Sequence, residues 1–225
     1  GLLAAGMSLS RAGVRAKPND RMYLCLPLFH GTGFICGVNS AIFSGASMFL
    51  RRKFSASAFW PEVQKYHCTI FFYVGELCRY LVTQPPCPEE KNNPLDRVFG
   101  NGLRPDVWDE FKQRFGIDRV CEFYGSSEGN VSFINAFNKN KTIGYCPGTI
   151  LLVEYDIEQD EIVLDENGKY IPVEPGNPGL LLAEIDDRYR FDGYTDKAAS
   201  EAKTLRNVLK DGDAWFNTGD LITEV

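Results

Sequence analysis

Short apolar runs alternate with amphipathic segments up to about residue 125, and this rhythm constrains the fold more than any other feature. The runs MYLCL, ASMFL, TIFFYV, RVFG and RVCEFYG are typical of strands, while GFICGVNSAIFSG, FSASAFWPEVQKYH, GELCRYLV and RPDVWDEFKQRF are typical of helices. Short apolar strands separated by helices predict a mostly parallel sheet that is covered by helices on both faces. In such sheets ligands bind at the carboxyl ends of the strands.

The pattern changes after about residue 130 to short strands, VSFIN, TILLVEY, EIVL, YIPV and LLLAEI, which Gly, Pro and Asn interrupt. This pattern predicts an antiparallel, β-rich part. Asn167-Gly168 predicts a hairpin turn, and TDKAASEAKTLRNVLK predicts a helix with Thr195 as its N-cap. AWFNTGDLI predicts a strand, a tight turn and a second strand. The fold class is therefore α/β, with a mostly parallel sheet followed by antiparallel β structure.

Composition narrows the classes of function. The net charge is -6 without a basic stripe, which argues against a protein that holds a nucleic-acid backbone. Seven cysteines without a CxxC pattern, together with two histidines, argue against a structural metal and predict buried free thiols in a reducing, cytosol-facing environment. No apolar run approaches the ~20 residues that span a bilayer. The run Arg51-Arg52-Lys53 predicts a solvated edge, with contact to an anionic membrane surface as the alternative.

The segment CEFYGSSEGN (residues 121–130) follows a predicted strand and allows two interpretations. Its G-x-S-x-G pattern, together with HGTG beginning at His30, fits an α/β-hydrolase with Ser127 as nucleophile. That fold places its histidine after the serine, whereas His30 and His67 both precede Ser127. The residues that follow, NVSFINAFNKN, also suit a strand better than the helix that a nucleophile elbow requires. The hydrolase is therefore a minor alternative.

The other interpretation is a nucleotide site at the end of this strand. Tyr124 offers an aromatic face for adenine, and Gly125 offers a backbone N–H group. Ser127 offers a small hydroxyl for a phosphate, and Glu128 offers a carboxylate for Mg²⁺. These are the groups that bound ATP requires.

A second glycine turn, GNGLRPD (residues 100–106), ends the preceding strand and lies beside the first in a parallel sheet. Pro105 is expected to be the first residue of a helix. Asp220, in the sequence TGD, is suited to accept two hydrogen bonds from a ribose diol. The chain has no GxxxxGK[ST] phosphate loop.

Five stretches together resemble one family: LPLFHGTG (26–33), GNGLRPDVW (100–108), EFYGSSEGN (122–130), RFDGY (190–194) and GDAWFNTGD (212–220). They resemble the fatty-acid transport protein and very-long-chain acyl-CoA synthetase branch of the adenylate-forming enzymes, over nearly the whole chain. The resemblance implies a central fragment of the large N-terminal, AMP-binding domain. Residues 1–130 would be its α/β nucleotide-binding part, and residues 131–225 its β-rich part, ending at the TGD turn. A lysine-bearing phosphate loop is expected before residue 1 and a lysine-bearing lid after residue 225.

The resemblance also implies roles for individual residues. Tyr124 would stack on adenine, Ser127 would contact the α-phosphate, Glu128 would bind Mg²⁺, and Asp220 would hold the ribose hydroxyls. His30 would stand near the passage for the acyl chain and pantetheine. The backbone of Gly100, Asn101 and Gly102 would line the adenine side, and the set of cofactor-binding residues is completed by Glu122, Phe123 and Gly125. The residue types by themselves favour core packing for Phe123 and a supporting hydrogen bond for Glu122.

The implied function is ATP-dependent activation of a long or very long fatty acid to its coenzyme A thioester through an acyl-adenylate. Its partners are then the fatty acid, Mg·ATP and coenzyme A, in a cytosol-facing protein that is either membrane-associated or cytoplasmic. The chain alone is expected to bind ATP weakly and not to complete adenylation. The alternative is a lipid-transport or nucleotide-binding protein without catalytic activity.

Overall fold

The computed structural model describes residues 6–125 and 130–225, and the chain divides into two compact units. Unit 1 runs to Phe123 and includes Ile134–Tyr145. Unit 2 consists of Tyr124–Phe133 and Cys146–Val225. The assignment of residues 1–130 and 131–225 to two parts of one domain stays a prediction.

Unit 1 is built on a sheet with the strand order β2-β1-β3-β4-β5-β6. The strands of this sheet are β1 (Arg21–Leu24), β2 (Ser47–Leu50), β3 (Ile70–Val74), β4 (Arg97–Asn101), β5 (Arg119–Gly125) and β6 (Ser132–Ile134). The last two residues of β5 and the first two of β6 are assigned to unit 2. Each neighbouring pair from β2 to β5 is parallel. The predicted mostly parallel sheet is therefore confirmed.

Helical segments precede β1 and connect the later strands. They are the π-helical Leu9–Gly13 and Thr32–Val38, α1 (Asn39–Ser44), α2 (Ala56–Tyr66), α3 (Gly75–Val82), the 3-10 turn Pro88–Glu90, and α4 (Pro105–Phe115). Pro105 stands in the first turn of α4, as predicted, because a proline there gives up only an N–H that has no partner within the helix. Gly116 ends the same helix in the left-handed conformation.

The inner strands β1, β3, β4 and β5 are largely buried, which explains their apolar sequences, whereas the edge strand β2 is mostly exposed. Along β3, Phe71 and Tyr73 pack in one cluster with Trp60 and Phe115, among others, while Ile70 and Phe72 pack in the cluster on the opposite side. The six side chains named here are each at most 2% exposed, Phe72 at 1% and Ile70 at 0%. Continuous apolar runs, rather than alternating ones, are what a parallel sheet covered on both faces requires.

The seven cysteines all lie within the described residues, and all are free thiols. Six are buried and Cys87 is half-buried. Burial raises the pKa of Cys25, Cys36 and Cys121 to about 12, because the thiolate cannot be solvated there. The prediction of buried free thiols is confirmed, and these cysteines serve as small apolar core residues.

Unit 2 is mainly antiparallel. Its four-stranded sheet has the order β11-β12-β10-β7, and β8 pairs with β9. These strands are β7 (Ile150–Val153), β8 (Tyr155–Asp156), β9 (Glu161–Ile162), β10 (Pro178–Glu184), β11 (Thr204–Arg206) and β12 (Ala214–Thr223). Val153, Leu180, Leu182 and Trp215 form its core. The predicted β-rich part is confirmed, although YIPV contributes only isolated bridges at Tyr170 and Pro172.

The predicted hairpin turn at Asn167-Gly168 is confirmed. Gly168 donates its backbone N–H to the carbonyl of Asp165, and the bridge between Leu164 and Tyr170 closes the hairpin. The Asp165 carboxylate also accepts the backbone N–H groups of Asn167 and Lys169, each at 2.8 Å. Those bonds satisfy donors that no strand partner reaches.

The predicted long helix after Thr195 is wrong in its N-cap and its extent. The helix α5 covers only Lys197–Ala202, and Asp196 is its N-cap, with a carboxylate that accepts the N–H of Ala198. The sequence after it forms β11, in which Leu205 lies opposite Trp215 of β12. Pairing with an existing strand lets the partly buried Leu205 pack against the core of unit 2, whereas no residue of α5 is buried, so the tertiary contact decides against a longer helix.

Among the described residues, no helix is both long enough and apolar enough to cross a membrane.

Candidate nucleotide-binding residues

The TGD sequence lies in a bulge of strand β12. Leu180 of β10 is opposite Leu221 and Leu182 is opposite Asn217, so the three residues 218–220 face the single residue Leu181. The prediction of a strand, a tight turn and a second strand is therefore wrong, because Ala214–Thr223 is one strand with an irregular register. A bulge re-aims side chains without ending the strand.

Local hydrogen bonds hold this bulge. The Thr218 hydroxyl donates to the carbonyl of Leu181 at 2.9 Å and accepts the N–H of Asp220 at 3.1 Å. The side chain of Asn217 accepts the N–H of Gly219 at 3.0 Å. Gly219 has a φ of +80°, which a residue with a Cβ rarely adopts. Of the TGD residues, Asp220 was predicted from the sequence to bind the ligand and Thr218 was not, although a β-branched hydroxyl two residues before the carboxylate is a signal for such a bond.

The bulge brings Asp220 to Tyr124. The Tyr124 hydroxyl donates a hydrogen bond of 2.5 Å to the Asp220 carboxylate, although the two residues are 96 positions apart. The Tyr124 ring also meets Phe133 edge-on, with 5.8 Å between the ring centroids. A carboxylate has about four acceptor positions, so Asp220 keeps acceptor capacity for a diol beside the phenol. Both residues belong to unit 2.

Asn130 anchors the chain where it leaves the glycine-rich segment. Its amide donates to the carbonyl of Glu184 at 2.8 Å and to that of Tyr189 at 2.9 Å. Both bonds are to backbone atoms, so they hold position rather than recognise a side chain. In the sequence Asn130 is recognisable only as the last residue of the EFYGSSEGN motif, and its two bonds to backbone carbonyls are visible only in the structure.

The second glycine turn, in unit 1, is held by Glu122. The Glu122 carboxylate is 3% exposed and accepts the backbone N–H groups of Gly102 at 2.8 Å and Leu103 at 3.0 Å. It also accepts the hydroxyl of Tyr73. Burial raises the pKa of Glu122 to about 7, and the three hydrogen bonds offset only part of that effect. The prediction that Glu122 makes a supporting hydrogen bond is therefore confirmed.

The glycines of this turn are required by close backbone approach. A Cβ on Gly100 would lie 2.3 Å from the carbonyl oxygen of Tyr73, and Gly102 has a φ of +80°. Asn101 lies between them at the end of β4. The structure thus brings the predicted adenine-lining residues together with Glu122 at the carboxyl end of β4.

The other predicted site residues are placed as follows. His30 is exposed, and its Nδ1 accepts the N–H of Thr32 at 3.2 Å at the start of the helical segment Thr32–Val38. Phe123 stacks on Phe99 with 5.0 Å between ring centroids, which is a core contact. Gly125 is the exposed last residue of β5.

Ser127 and Glu128 fall within residues 126–129, which lie outside the described residues. Across residues 6–125 and 130–225, no three His, Cys, Asp or Glu side chains are grouped so that they could hold a metal ion. The assignment of Mg²⁺ to Glu128 therefore stays a prediction.

The sequence pattern of the AMP-binding enzyme family matches residues 2–194. The chain belongs to the AMP-binding enzyme family. Its relatives include the "Medium/long-chain-fatty-acid--CoA ligase FadD6" of Mycobacterium tuberculosis, 48% identical over 94% of this chain and 35% of that protein. "Long-chain fatty acid transport protein 2" of Rattus norvegicus is 42% identical over 96% of this chain and 36% of that protein. These relatives confirm the resemblance described above, and the chain spans about a third of their length.

The fold agrees with the AMP-binding family. The structure of ATP-bound MatB from Rhodopseudomonas palustris superposes with a TM-score of 0.72 at 20% identity, over 98% of this chain and 41% of that chain. The N-terminal domain of FACL13 from Mycobacterium tuberculosis gives a TM-score of 0.64 at 17% identity, over 98% of this chain and 52% of that chain. At these identities the likeness shows the fold alone.

The α/β-hydrolase alternative is contradicted by two findings. The family match covers the glycine-rich segment, and Ser132–Ile134 forms strand β6 where a nucleophile elbow would lead into a helix.

Proposed function

We propose that this chain supplies the adenosine-binding residues of an enzyme that activates long or very long fatty acids to coenzyme A thioesters at the expense of Mg·ATP. The observation that carries the proposal is the hydrogen bond between Tyr124 and Asp220 at the bulge of β12. An aromatic ring and a carboxylate held together can bind the two parts of an adenosine. The ring offers a stacking surface for adenine, and the carboxylate offers an acceptor for the ribose diol. Membership of the AMP-binding family and the names of the relatives support the assignment.

Each residue then has a defined task. The Tyr124 ring stacks on adenine, a contact worth about 1–3 kcal/mol per base. Asp220 accepts hydrogen bonds from the two ribose hydroxyls. The backbone of Gly100, Asn101 and Gly102 lines the adenine.

The reaction proceeds in two steps. A carboxylate oxygen of the fatty acid attacks the α-phosphorus of ATP, the bond to the β,γ-diphosphate breaks, and acyl-AMP and pyrophosphate form. The thiolate of coenzyme A then attacks the acyl carbonyl, and the bond to AMP breaks to give the thioester. We assign His30 to the passage through which the acyl chain and pantetheine reach this carbonyl.

The first step brings two anions together, so their charge must be neutralised before attack. We assign the Ser127 hydroxyl to the α-phosphate and the Glu128 carboxylate to the Mg²⁺ that accompanies ATP. The metal supplies positive charge to the phosphate oxygens.

Equilibrium binding of a non-hydrolysable ATP analogue to the 225-residue chain tests the nucleotide assignment. We expect weak, saturable binding that Tyr124→Ala and Asp220→Ala each reduce about 10-fold or more. Binding that neither substitution changes would refute the assignment. For the reaction, we expect the full-length gene product to form acyl-AMP from fatty acid and ATP, and the 225-residue chain alone to form none.

A second candidate function is lipid uptake without catalysis, because several relatives carry the name "Long-chain fatty acid transport protein". The substitution Glu128→Ala in the full-length gene product separates the two. We expect it to abolish acyl-CoA formation and fatty-acid uptake together, whereas uptake that survives the loss of the ligase reaction would favour transport. Contact of Arg51-Arg52-Lys53 with an anionic membrane stays a prediction, and in the structure Arg51 pairs with Glu62.

A further inference from the structure

The buried carboxylate of Glu122 has donors from two segments of unit 1. One is the Tyr73 hydroxyl on β3, and the others are the backbone N–H groups of Gly102 and Leu103, which follow β4. Leu103 is itself 5% exposed, so this end of the turn is buried with the carboxylate. A buried carboxylate that accepts three hydrogen bonds fixes the groups that donate them.

Pairing of β4 with β3 holds Gly100 and Asn101, whereas Gly102 and Leu103 lie beyond the end of the strand. Gly100 and Gly102 have no side chains to pack, and the backbone of Gly75 approaches Gly102 so closely that a Cβ on Gly75 would lie 1.7 Å from the Gly102 carbonyl oxygen. Glycine segments lose the most conformational entropy when they are ordered. The hydrogen bonds from the backbone N–H groups of Gly102 and Leu103 to Glu122 offset the entropy cost of ordering these two residues.

We propose that Glu122 is a positioning residue for the nucleotide: its ionised carboxylate holds Gly102 and Leu103 so that the turn beginning at Gly100 is preformed for adenine. The inference rests on the proposed function, since it assumes that this turn contacts the base. It assigns Glu122 an effect on affinity through the turn and no contact with the reacting atoms.

If Glu122 positions the turn, the affinity for the nucleotide should depend on the protonation state of Glu122. The ionised carboxylate is a stronger acceptor for all three donors than the protonated acid, because a hydrogen bond to a charged acceptor is shorter and stronger than one to a neutral acceptor. Its pKa of about 7 places the change near neutral pH. The titratable groups that face it are Tyr73 on β3, Cys78 on α3 and Cys121 on β5, and burial raises the pKa of each far above this range. Only Glu122 in this cluster therefore titrates near pH 7.

The affinity for adenosine and the free energy of unfolding should consequently change in opposite directions with pH. Burial raises the pKa of Glu122 from 4.5 to about 7, so its contribution to folding stability is largest below the unfolded pKa and is lost as pH rises through 7. Adenosine binding needs the ionised form and should weaken as pH falls through the same value. A residue that only stabilised the fold would make affinity follow stability.

Titration of the 225-residue chain with adenosine, followed by NMR, tests the inference, because adenosine carries no group that titrates near neutral pH. We expect the wild-type affinity to fall about 10-fold from about pH 8 to about pH 6. Glu122→Gln keeps the size of the side chain but replaces one acceptor oxygen with a donor. We expect it to bind about 10-fold more weakly than wild type at pH 8 and without pH dependence.

Two further variants serve as controls. Glu90→Gln changes another buried carboxylate, 8% exposed and paired with Arg114, so we expect lower stability with unchanged adenosine affinity. Tyr73→Phe removes the hydroxyl that lowers the pKa of Glu122, so the midpoint of the pH dependence should move upward. Amide hydrogen exchange at Gly102 and Leu103 should become faster in Glu122→Gln and stay unchanged in Glu90→Gln.

The outcomes separate the inference from the proposed function. If wild type binds neither adenosine nor the ATP analogue at any pH, both are refuted. If wild type binds and Glu122→Gln binds equally well with the same pH dependence, Glu122 is not a positioning residue, while the proposed function stands. Faster exchange at Gly102 and Leu103 together with weaker, pH-independent binding supports the inference.

Discussion

The hydrogen bond between Tyr124 and Asp220 predicts that the two side chains contribute to nucleotide affinity as a pair. Tyr124→Phe removes the hydroxyl and keeps the ring, so stacking on adenine should survive while Asp220 loses the donor that orients it. Asp220→Ala removes the carboxylate that accepts this hydrogen bond. The double variant has no further bond to lose between these two positions.

The magnitude follows from the geometry. A hydrogen bond to a charged group contributes about 1.5–3 kcal/mol when it is buried, but Asp220 is exposed and water competes for it. We therefore expect about 1 kcal/mol for Tyr124→Phe, which is about a 5-fold loss of affinity. Tyr124→Ala should cost about 1–3 kcal/mol more, because stacking is lost as well.

Isothermal titration of the ATP analogue into wild type, both single variants and the double variant gives the coupling energy directly. We expect a coupling of about 1 kcal/mol, so that Tyr124→Phe has little effect once Asp220 is alanine. The matched control is Tyr155→Phe, because the Tyr155 hydroxyl bonds the exposed carboxylate of Asp160 elsewhere in unit 2. That variant should leave the affinity unchanged.

Strict additivity of the two single variants would refute the paired role. An equal loss of affinity in Tyr155→Phe would show that any exposed tyrosine and aspartate pair in unit 2 has this effect. In either case the bond between Tyr124 and Asp220 would be a surface contact without a role in recognition.

Three further substitutions test the structure around these residues by urea unfolding. Gly219→Ala should lower the free energy of unfolding by about 1 kcal/mol, since its φ of +80° is unfavourable for alanine; no change would argue against the bulge. Gly75→Ala should cost about 3 kcal/mol, because its Cβ would overlap the Gly102 carbonyl, and a neutral result would contradict that close approach. Asp20→Asn should cost about 2 kcal/mol at neutral pH, because it removes the buried carboxylate closest to Arg97, whose guanidinium keeps its bond to Asp96. Burial would raise the pKa of Asp20, but hydrogen bonds such as those from Arg97 outweigh it and lower the pKa below 3.8, so this difference should persist until the pH falls through that lowered value.

The helices and strands of unit 1 were largely predictable because their signals are local. Apolar runs such as TIFFYV are buried on both faces, and Pro105 and Gly116 mark the two ends of α4. In unit 2 the same reasoning failed after Thr195. The residues TLR have helix-compatible neighbours, but Leu205 gains a strand partner in Trp215, and that partner is not visible in a local window.

The candidate site shows the same division. Residue types and motif order led to Tyr124, Asp220 and the turn at Gly100, because an aromatic ring, a carboxylate and a glycine turn each have recognisable chemistry. The residues that position them were harder to find. Thr218 and Asn130 act through backbone carbonyls of distant strands, and such partners have no sequence signature.

By itself the sequence determined the α/β class, the parallel sheet and the family, because periodicity, turn residues and motif spacing act over short distances along the chain. Only the tertiary structure decided that residues 124 and 220 meet, that the TGD sequence is a bulge within one strand, and that a buried glutamate holds a glycine turn. These features depend on which strands pair and in which register. That choice minimises the free energy of the whole fold and is not contained in any single segment.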